Sequence, residues 1–349
     1  MISFFSLKAS LSIWLLFVNL SSFFLCFYRT KLYVQYLFFL FPVVIFSFRL
    51  PSVGIDSVMY YDYMYNGLER DDFEYFFKLL MKVLSLSSYG FFVFSFLNSF
   101  LVLCSSYKLV EFFFKDSRFL SFYFLVLTSS FYFLNLSLSI MRQSIAVSIF
   151  LFALLFFLKR RFFAYFFLVA LATLFHSSAI FLFALPLVYY IRLLTLVAWV
   201  VAIFIVIKVV GVYKFVTIFV HFLYESGLAS KRLLDYFSWQ YSVGWEFKHF
   251  YFLLILMNVY VLFVSVNRIG ATFIYKASLV GWLFLGVFSF DEMVADRIFY
   301  YFIPINIIVF TMIFREFGAM MRVSVLFGIF VWSFKTYHYQ LSAWFGGVL

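Results

Sequence analysis

The chain has 349 residues, 66% of them hydrophobic and only 12% charged, with a mean hydropathy of +1.07. Soluble domains carry about a quarter charged residues, and no soluble core needs 60 Phe and 26 Tyr, so the composition excludes a soluble protein and points to an all-α polytopic membrane protein. The net charge of +11 is then expected to be a topology signal of cytoplasmic Lys and Arg before it is a nucleic-acid footprint.

In chain order, apolar runs at 11–28 and 32–48 come first. The first lacks a small-residue cleavage site and leads straight into the second, so it reads as a retained span. A long polar stretch, 49–88, precedes runs at 89–107, 119–139, 142–158, 162–175, 178–191 and 193–210. A second, 211–249, precedes runs at 250–267, 274–290, 297–314 and 323–341. Together they predict about 12 transmembrane helices. Runs 162–175 and 178–191 are short for a bilayer and read either as half-helices or as one long tilted helix. Residues 1–349 are expected to form a single transmembrane domain with two long loops. Cys26 and Cys104 lie inside apolar runs and join no CxxC or Cys/His cluster, so neither a disulfide framework nor a structural zinc is indicated.

If the spans alternate, one face collects Arg29, Lys31, Lys108, Lys115, Arg118, the Lys159-Arg160-Arg161 turn, Arg192, Arg268, Lys276, Arg315 and Arg322. Only Glu111, Asp116 and Glu316 oppose them there. The positive-inside rule assigns that face to the cytoplasm and both long loops, with the N-terminus, to the outside.

Within NLSLSIMRQSIAVSIFLF, residues 135–152, Arg142 and Gln143 interrupt an apolar sequence. An ionised side chain in hydrocarbon costs several kcal/mol, so it belongs at a water boundary or serves a purpose. From Arg142 the helix runs about 24 Å inward to the Lys159 turn at 1.5 Å per residue. The chain then climbs back through 162–175 to His176. Arg142 and His176 are therefore predicted at one outer level, as a basic cluster. Arginine offers charged, bidentate hydrogen bonds suited to phosphate, and histidine takes a proton near neutral pH.

The first loop, RLPSVGIDSVMYYDYMYNGLERDDFEYF, puts Asp56 and Tyr60 on one face if it is helical. Its later acids, Glu69, Asp71, Asp72 and Glu74, read as a solvated surface. The segment SFDEMVADRIFYYF gathers Asp291, Glu292, Asp296 and Arg297 at the mouth of the eleventh span, with Tyr300 and Tyr301 a turn below. It reads as a solvated loop with interfacial tyrosines, or as part of an anion pocket in which Arg142 and Arg297 each head a helix whose N–H groups add positive potential. The second loop carries Arg232 among Tyr224, Trp239, Tyr241 and Trp245, a mixture suited to sugars and equally to interfacial anchoring. No P-loop, GxGxxG, GxSxG or HExxH occurs, which leaves cytosolic nucleotide and zinc-peptidase chemistry without support.

MRQSIAVSIFLFALLFFLKRRFFAYFFLVALATLFHSSAIFLF resembles the core of the EpsG family of polysaccharide-assembly membrane proteins, with an Arg-Gln opening one helix, a basic turn, and a His-Ser-Ser-Ala element closing the next. VGIDSVMYYDYMY resembles the family's Gly-x-Asp…Tyr segment, and DRIFYYF its late Arg…Tyr-Phe element. The resemblance implies a Wzy-like polymerase of O-antigen, capsule or exopolysaccharide, of GT-C-like membrane glycosyltransferase architecture, at the outer, periplasmic leaflet of a bacterial inner membrane. Such an enzyme takes undecaprenyl-diphosphate-linked oligosaccharides as donor and acceptor, with membrane lipid around it and a chain-length regulator as a further partner, and it needs no cofactor. On this reading Arg142 and Arg297 hold the diphosphate. His176 either takes the acceptor hydroxyl's proton or donates to the diphosphate, with Asp56 as the competing base. Gln143, Tyr60, Asp291, Glu292, Tyr300, Tyr301 and Arg232 bind substrate. No metal is expected, because the arginines supply the charge. The alternatives are a lipid-linked oligosaccharide flippase, an O-antigen ligase and a sugar O-acyltransferase. Most charges lie at span boundaries, with Lys208 the nearest exception, which favours an interfacial enzyme over a transporter.

Overall fold

A computed structural model describes residues 73–193, 195–200, 273–287 and 292–346, with shorter stretches of 20–70 and a few positions between 202 and 226. The run at 250–267 lies wholly, those at 32–48 and 193–210 mostly, and the first half of that at 11–28 outside the described residues, as do Lys208, Arg232 and most of the second long loop. Among the described residues, the regular structure is helical.

The chain divides into two compact units, Met1–Phe183 with Phe314–Leu349, and Ala184–Ile313. The first contains α1 (Ser57–Tyr65), α2 (Tyr75–Leu84), α3 (Gly90–Phe113), α4 (Ser117–Thr128), α5 (Phe131–Leu138), α6 (Met141–Leu158) and α7 (Phe162–Phe175). A 3-10 helix, Ser177–Tyr189, follows α7. Further on come α8 (Phe273–Val287), α9 (Glu292–Phe299), α10 (Ile303–Glu316) and α11 (Ala319–Gly346).

Two of these helices, α3 and α6, are long and apolar enough to cross a bilayer. The run expected as one span at 119–139 is instead a pair, α4 and α5, bent by 68°. Its break has a local cause. Thr128 Oγ1 donates back to the Phe124 carbonyl at 2.7 Å, and Ser130 Oγ accepts from the Phe133 N–H as the N-cap of α5. Hydroxyls that compete for backbone partners in this way bend helices.

Helix α6 is the hub, packed most heavily against α3 and α7 and buried along nearly its whole length. Helix α7 buries only the stripe Tyr165, Val169 and Ala172 against it and exposes Phe162, Phe163, Phe166, Phe167 and Leu174. A helix of a soluble protein would be polar on that outer face. Here the exposed phenylalanines mark a surface that hydrocarbon covers.

The two short runs are not one tilted helix. His176 breaks α7 with extended backbone (φ −155°, ψ 116°). The 3-10 helix then folds back along α7: Tyr165 Oη donates to the Leu182 carbonyl at 2.6 Å, and the Phe166 and Phe183 rings stack at 6.2 Å. His176 thus stands at the tip of a helical hairpin. The 3-10 winding rises about 2.0 Å per residue, so it reaches further than an α-helix of the same length.

Gly54 fixes the start of α1. Its φ is +109°, and a Cβ there would lie 1.9 Å from the Leu138 carbonyl oxygen at the end of α5. Ser57 Oγ donates to that same carbonyl at 2.5 Å, satisfying an acceptor the helix end leaves open. The segment carrying Asp56 and Tyr60 is thereby seated on the rim of the helix bundle.

Gly54→Ala is therefore expected to destabilise the folded protein by at least about 2 kcal/mol, from backbone strain plus a clash with backbone. The thermal unfolding midpoint of the purified protein in detergent should fall by several degrees, and an unchanged midpoint would refute the close approach.

Candidate functional site

In the first unit, the ends of α1, α2, α6 and α7 converge on an aromatic floor. Tyr60, Phe73, Phe77, Phe91, Phe94, Met141 and Ile145 pack there as one buried cluster. The Tyr60 ring meets Phe77 and Phe94 edge-on at 5.4 and 5.9 Å, and those two meet each other at 5.8 Å, an arrangement aromatic rings favour.

Arg142 is the second residue of α6 and lies over this floor, its guanidinium carbon 4.5 Å from the Phe73 ring centroid and 5.8 Å from that of Phe77. Cation–π contact suits a guanidinium, which is weakly hydrated and planar. A cation at a helix N-terminus nevertheless opposes the helix dipole, and the structure supplies the balance. Arg142 Nη1 donates to Glu74 Oε2 at 2.9 Å, with side-chain exposures of 11% and 19%. Glu74 Oε1 accepts the backbone N–H of Ser177 at 3.3 Å. One carboxylate thus joins α6 to the residue after His176.

This corrects the expectation that Glu74 belongs to a solvated acidic surface. Its partner is 68 residues away in sequence, so no local pattern could show it. The available signal was weaker: an acid at the N-cap of an apolar helix, directly after a phenylalanine, within an outer loop. Glu69, Asp71 and Asp72 lie outside the described residues. The cluster expected to be basic is, as built, a charge-balanced pair beside a histidine.

His176 is buried, and its Nδ1 lies 2.7 Å from Ser178 Oγ, which fixes the ring from one side. Gln143 is buried beside Arg142. Asp56 is half-buried, and its carbonyl accepts the Tyr60 N–H at 3.1 Å, so the expected i, i+4 relation holds. Burial pushes the Tyr60 phenol up, Asp56 adds to the rise, and Arg142 pulls the other way. Tyr60 therefore stays neutral through physiological pH and stands within electrostatic reach of both. The structure brings Asp56, Tyr60, Arg142, Gln143 and His176 into one neighbourhood and adds Phe73, Glu74 and Ser177 to it.

Arg297 belongs to the second unit, and its setting differs from the expected one. It lies in the last turn of α9, not at the head of a span. Helix α9 stops at Phe299, and α10 starts at Ile303 with Pro304 in its first turn. Pro304 has no N–H to donate to the Tyr300 carbonyl and its ring crowds that carbonyl, so the helical ladder cannot run through from α9 into α10. A cation in a last helical turn is favoured by the dipole, but the N-terminal anion-site argument does not apply to it. Tyr300 and Tyr301 are buried beneath this turn, in a region tightened by the edge of Phe302 against Gly281 and by Trp282 against Phe299 at 5.0 Å. Asp291 and the Glu292 side chain lie outside the described residues. Among the described residues no group of three or more His, Cys, Asp or Glu is placed to hold a metal ion.

Removing the carboxylate with Glu74→Ala leaves a largely buried guanidinium without its partner, a loss of about 2 kcal/mol after allowance for partial exposure. The unfolding midpoint should fall accordingly in low salt, and a stability equal to wild type would show that the pair contributes nothing.

A comparison with curated proteins found no match, and neither did one with solved structures. The sequence pattern of the EpsG family matches residues 32–344, nearly the whole chain, and with the Arg142 and His176 elements on facing helix ends, the chain belongs to the EpsG family, whose members are Wzy-like polymerases.

Proposed function

We propose that this chain is a membrane glycosyltransferase that polymerises lipid-linked polysaccharide repeats, moving a glycan from undecaprenyl diphosphate onto the non-reducing end of another lipid-linked repeat. The observation that carries the reading is Arg142, a guanidinium held at a helix N-terminus beside the His176 hairpin tip, in a chain of the EpsG family.

In the proposed reaction an acceptor hydroxyl oxygen forms a bond to the anomeric carbon of the donor sugar. The bond from that carbon to the diphosphate oxygen breaks, and the electron pair leaves with the diphosphate. Arg142 stabilises the charge developing there, a contribution worth about 3–4 kcal/mol for one well-placed donor. His176 accepts the acceptor's proton, and Asp56 is the competing base. Tyr60 and Gln143 orient the glycans there, and Asp291, Glu292, Tyr300, Tyr301 and Arg232 remain sugar-binding candidates on sequence grounds. Arg297 remains a candidate for phosphate on sequence grounds, and Arg297→Ala tests it separately. Guanidinium charge suffices for the leaving group on this reading, so no metal enters it. The apolar runs support about 12 spans and the charge pattern of the short loops supports a reaction on the outer face; the GT-C-like arrangement and the periplasmic leaflet of a bacterial inner membrane are what the family resemblance implies.

The test is a gel of lipid-linked and surface glycan from a strain lacking the gene, complemented in turn with wild type, Arg142→Ala and His176→Ala. Wild type should restore a ladder, while both variants, at normal protein level, should leave single capped repeats. Full-length polymer from either variant would sink the assigned roles. Loss of capped repeats from the surface in the deletion strain would instead identify export as the missing step, as a flippase requires.

A further inference from the structure

We propose that Glu74 is an internal stand-in for the substrate's phosphate: it occupies an anion seat made by the Arg142 guanidinium and the Ser177 backbone N–H, and a diphosphate binds by displacing it. The inference rests on the glycosyl-transfer reading for the identity of its ligand, but the seat itself is a matter of geometry.

The two Glu74 oxygens show what the seat accepts. Oε2 takes Arg142 Nη1 at 2.9 Å, and Oε1 takes the Ser177 N–H at 3.3 Å. Ser177 is the first residue of the Ser177–Tyr189 helix, so its N–H is one that the helix leaves open. A guanidinium plus a helix-end N–H is a standard way to bind phosphate oxygens. A carboxylate spanning both donors uses the same two hydrogen bonds with less charge. The exchange trades one anion for another, makes and breaks no covalent bond, and leaves Arg142 neutralised throughout.

The cover over Arg142 is built to leave. Phe73 belongs to the buried floor on which the guanidinium rests, and Glu74, the residue after it, is the part that can leave, a strap of one side chain. That strap precedes α2 with extended backbone (φ −63°, ψ 148°) instead of lying within a helix. Its contact with Ser177 is long, and neither member of the ion pair is fully buried.

Helix α2 indicates the direction from which the ligand comes. Phe77 and Met81 face inward and are fully buried. Tyr75, Leu79 and Val83, one turn apart on the opposite side, are 73%, 48% and 57% exposed, with Lys78 and Lys82 beside them. An apolar face flanked by lysines suits the boundary between acyl chains and anionic headgroups. The strap thus ends in the layer through which a lipid-linked diphosphate travels.

The experiment is a calorimetric titration of the full-length protein in detergent, first with inorganic pyrophosphate and then with a short-chain polyprenyl diphosphate in the same micelles. An internal competitor lowers apparent affinity by the fraction of protein in which the seat is open, so Glu74→Gln should bind about tenfold tighter or better than wild type. Arg142→Ala should lose binding. A gain with both probes assigns the seat to the diphosphate itself, and a gain with the polyprenyl probe alone assigns it to the lipid-borne headgroup. Unchanged or weaker binding by Glu74→Gln overturns the proposal. If that variant does not fold, Glu74→Asp is measured instead: its shorter carboxylate cannot span both donors, and it should bind several-fold tighter, with no gain again overturning the idea. Failure of the glycosyl-transfer reading shows up elsewhere, as full-length polymer made in cells by Arg142→Ala, and does not alter the outcome of the titration.

Discussion

A guanidinium at the head of an apolar helix needs a counter-charge, and the first unit is arranged around supplying it. Arg142 sits where the α6 dipole is unfavourable to a cation and where its side chain is largely buried. Glu74 answers from a loop far away in sequence, and Phe73 adds its ring face. To bring these residues there, α2 must pack its Phe77 and Met81 side onto α3 and α6, and α1 must set Tyr60 beneath. The aromatic floor, the hairpin tip at His176 and the seat on Leu138 together hold the elements that carry this ion pair.

On the proposed reading, the same pair lets the site be both stable and reactive. Ion pairs at a partly wet boundary offset their desolvation only modestly, so exchanging one anionic partner for another changes the free energy little. A pair buried in the middle of the bundle would be locked, and one at the open surface would give no discrimination. Arg142 and Glu74 stand between these limits. Close to them the polar components differ in kind: a permanently charged guanidinium, the Glu74 and Asp56 carboxylates, the Gln143 amide, an imidazole anchored at one nitrogen by Ser178 and a phenol kept neutral by burial. Such a set can hold an anion and move a proton without sharing either task.

The surface of the bundle shows the converse economy. Exposed phenylalanines on α7 and the apolar stripe on α2 would be liabilities in water. In hydrocarbon they are the appropriate solvent-facing groups, and the interior can then hold buried polar side chains such as Asn98, whose Nδ2 donates to the Leu136 carbonyl at 2.9 Å and ties α3 to α5. Serines and asparagines among the buried groups, with phenylalanines exposed on the outer face as well as packed within, is the arrangement expected when lipid takes the place of water.

Composition and hydropathy by themselves determined that this chain is a helical membrane protein, because no other solvent tolerates so many exposed aromatic side chains. The Arg-Gln and His-Ser-Ser-Ala elements, separated by a basic turn, made the Arg142 and His176 ends of two antiparallel helices legible, since both lie one helix length from that turn. Gly54 and Asp56 were visible as a motif, but the reason for the glycine, a carbonyl of α5 where its side chain would be, was not. Sequence periodicity could not show that α4 and α5 are bent apart, that Pro304 leaves Arg297 at the end of a short helix, or that the 162–175 and 178–191 runs form a hairpin. These depend on competing local hydrogen bonds and on contacts between strands of chain far apart in sequence. Tertiary structure alone decided that Glu74 is the partner of Arg142, because a carboxylate in a polar loop looks the same whether water or a guanidinium awaits it, and only the folded path of the chain brings the two within 2.9 Å.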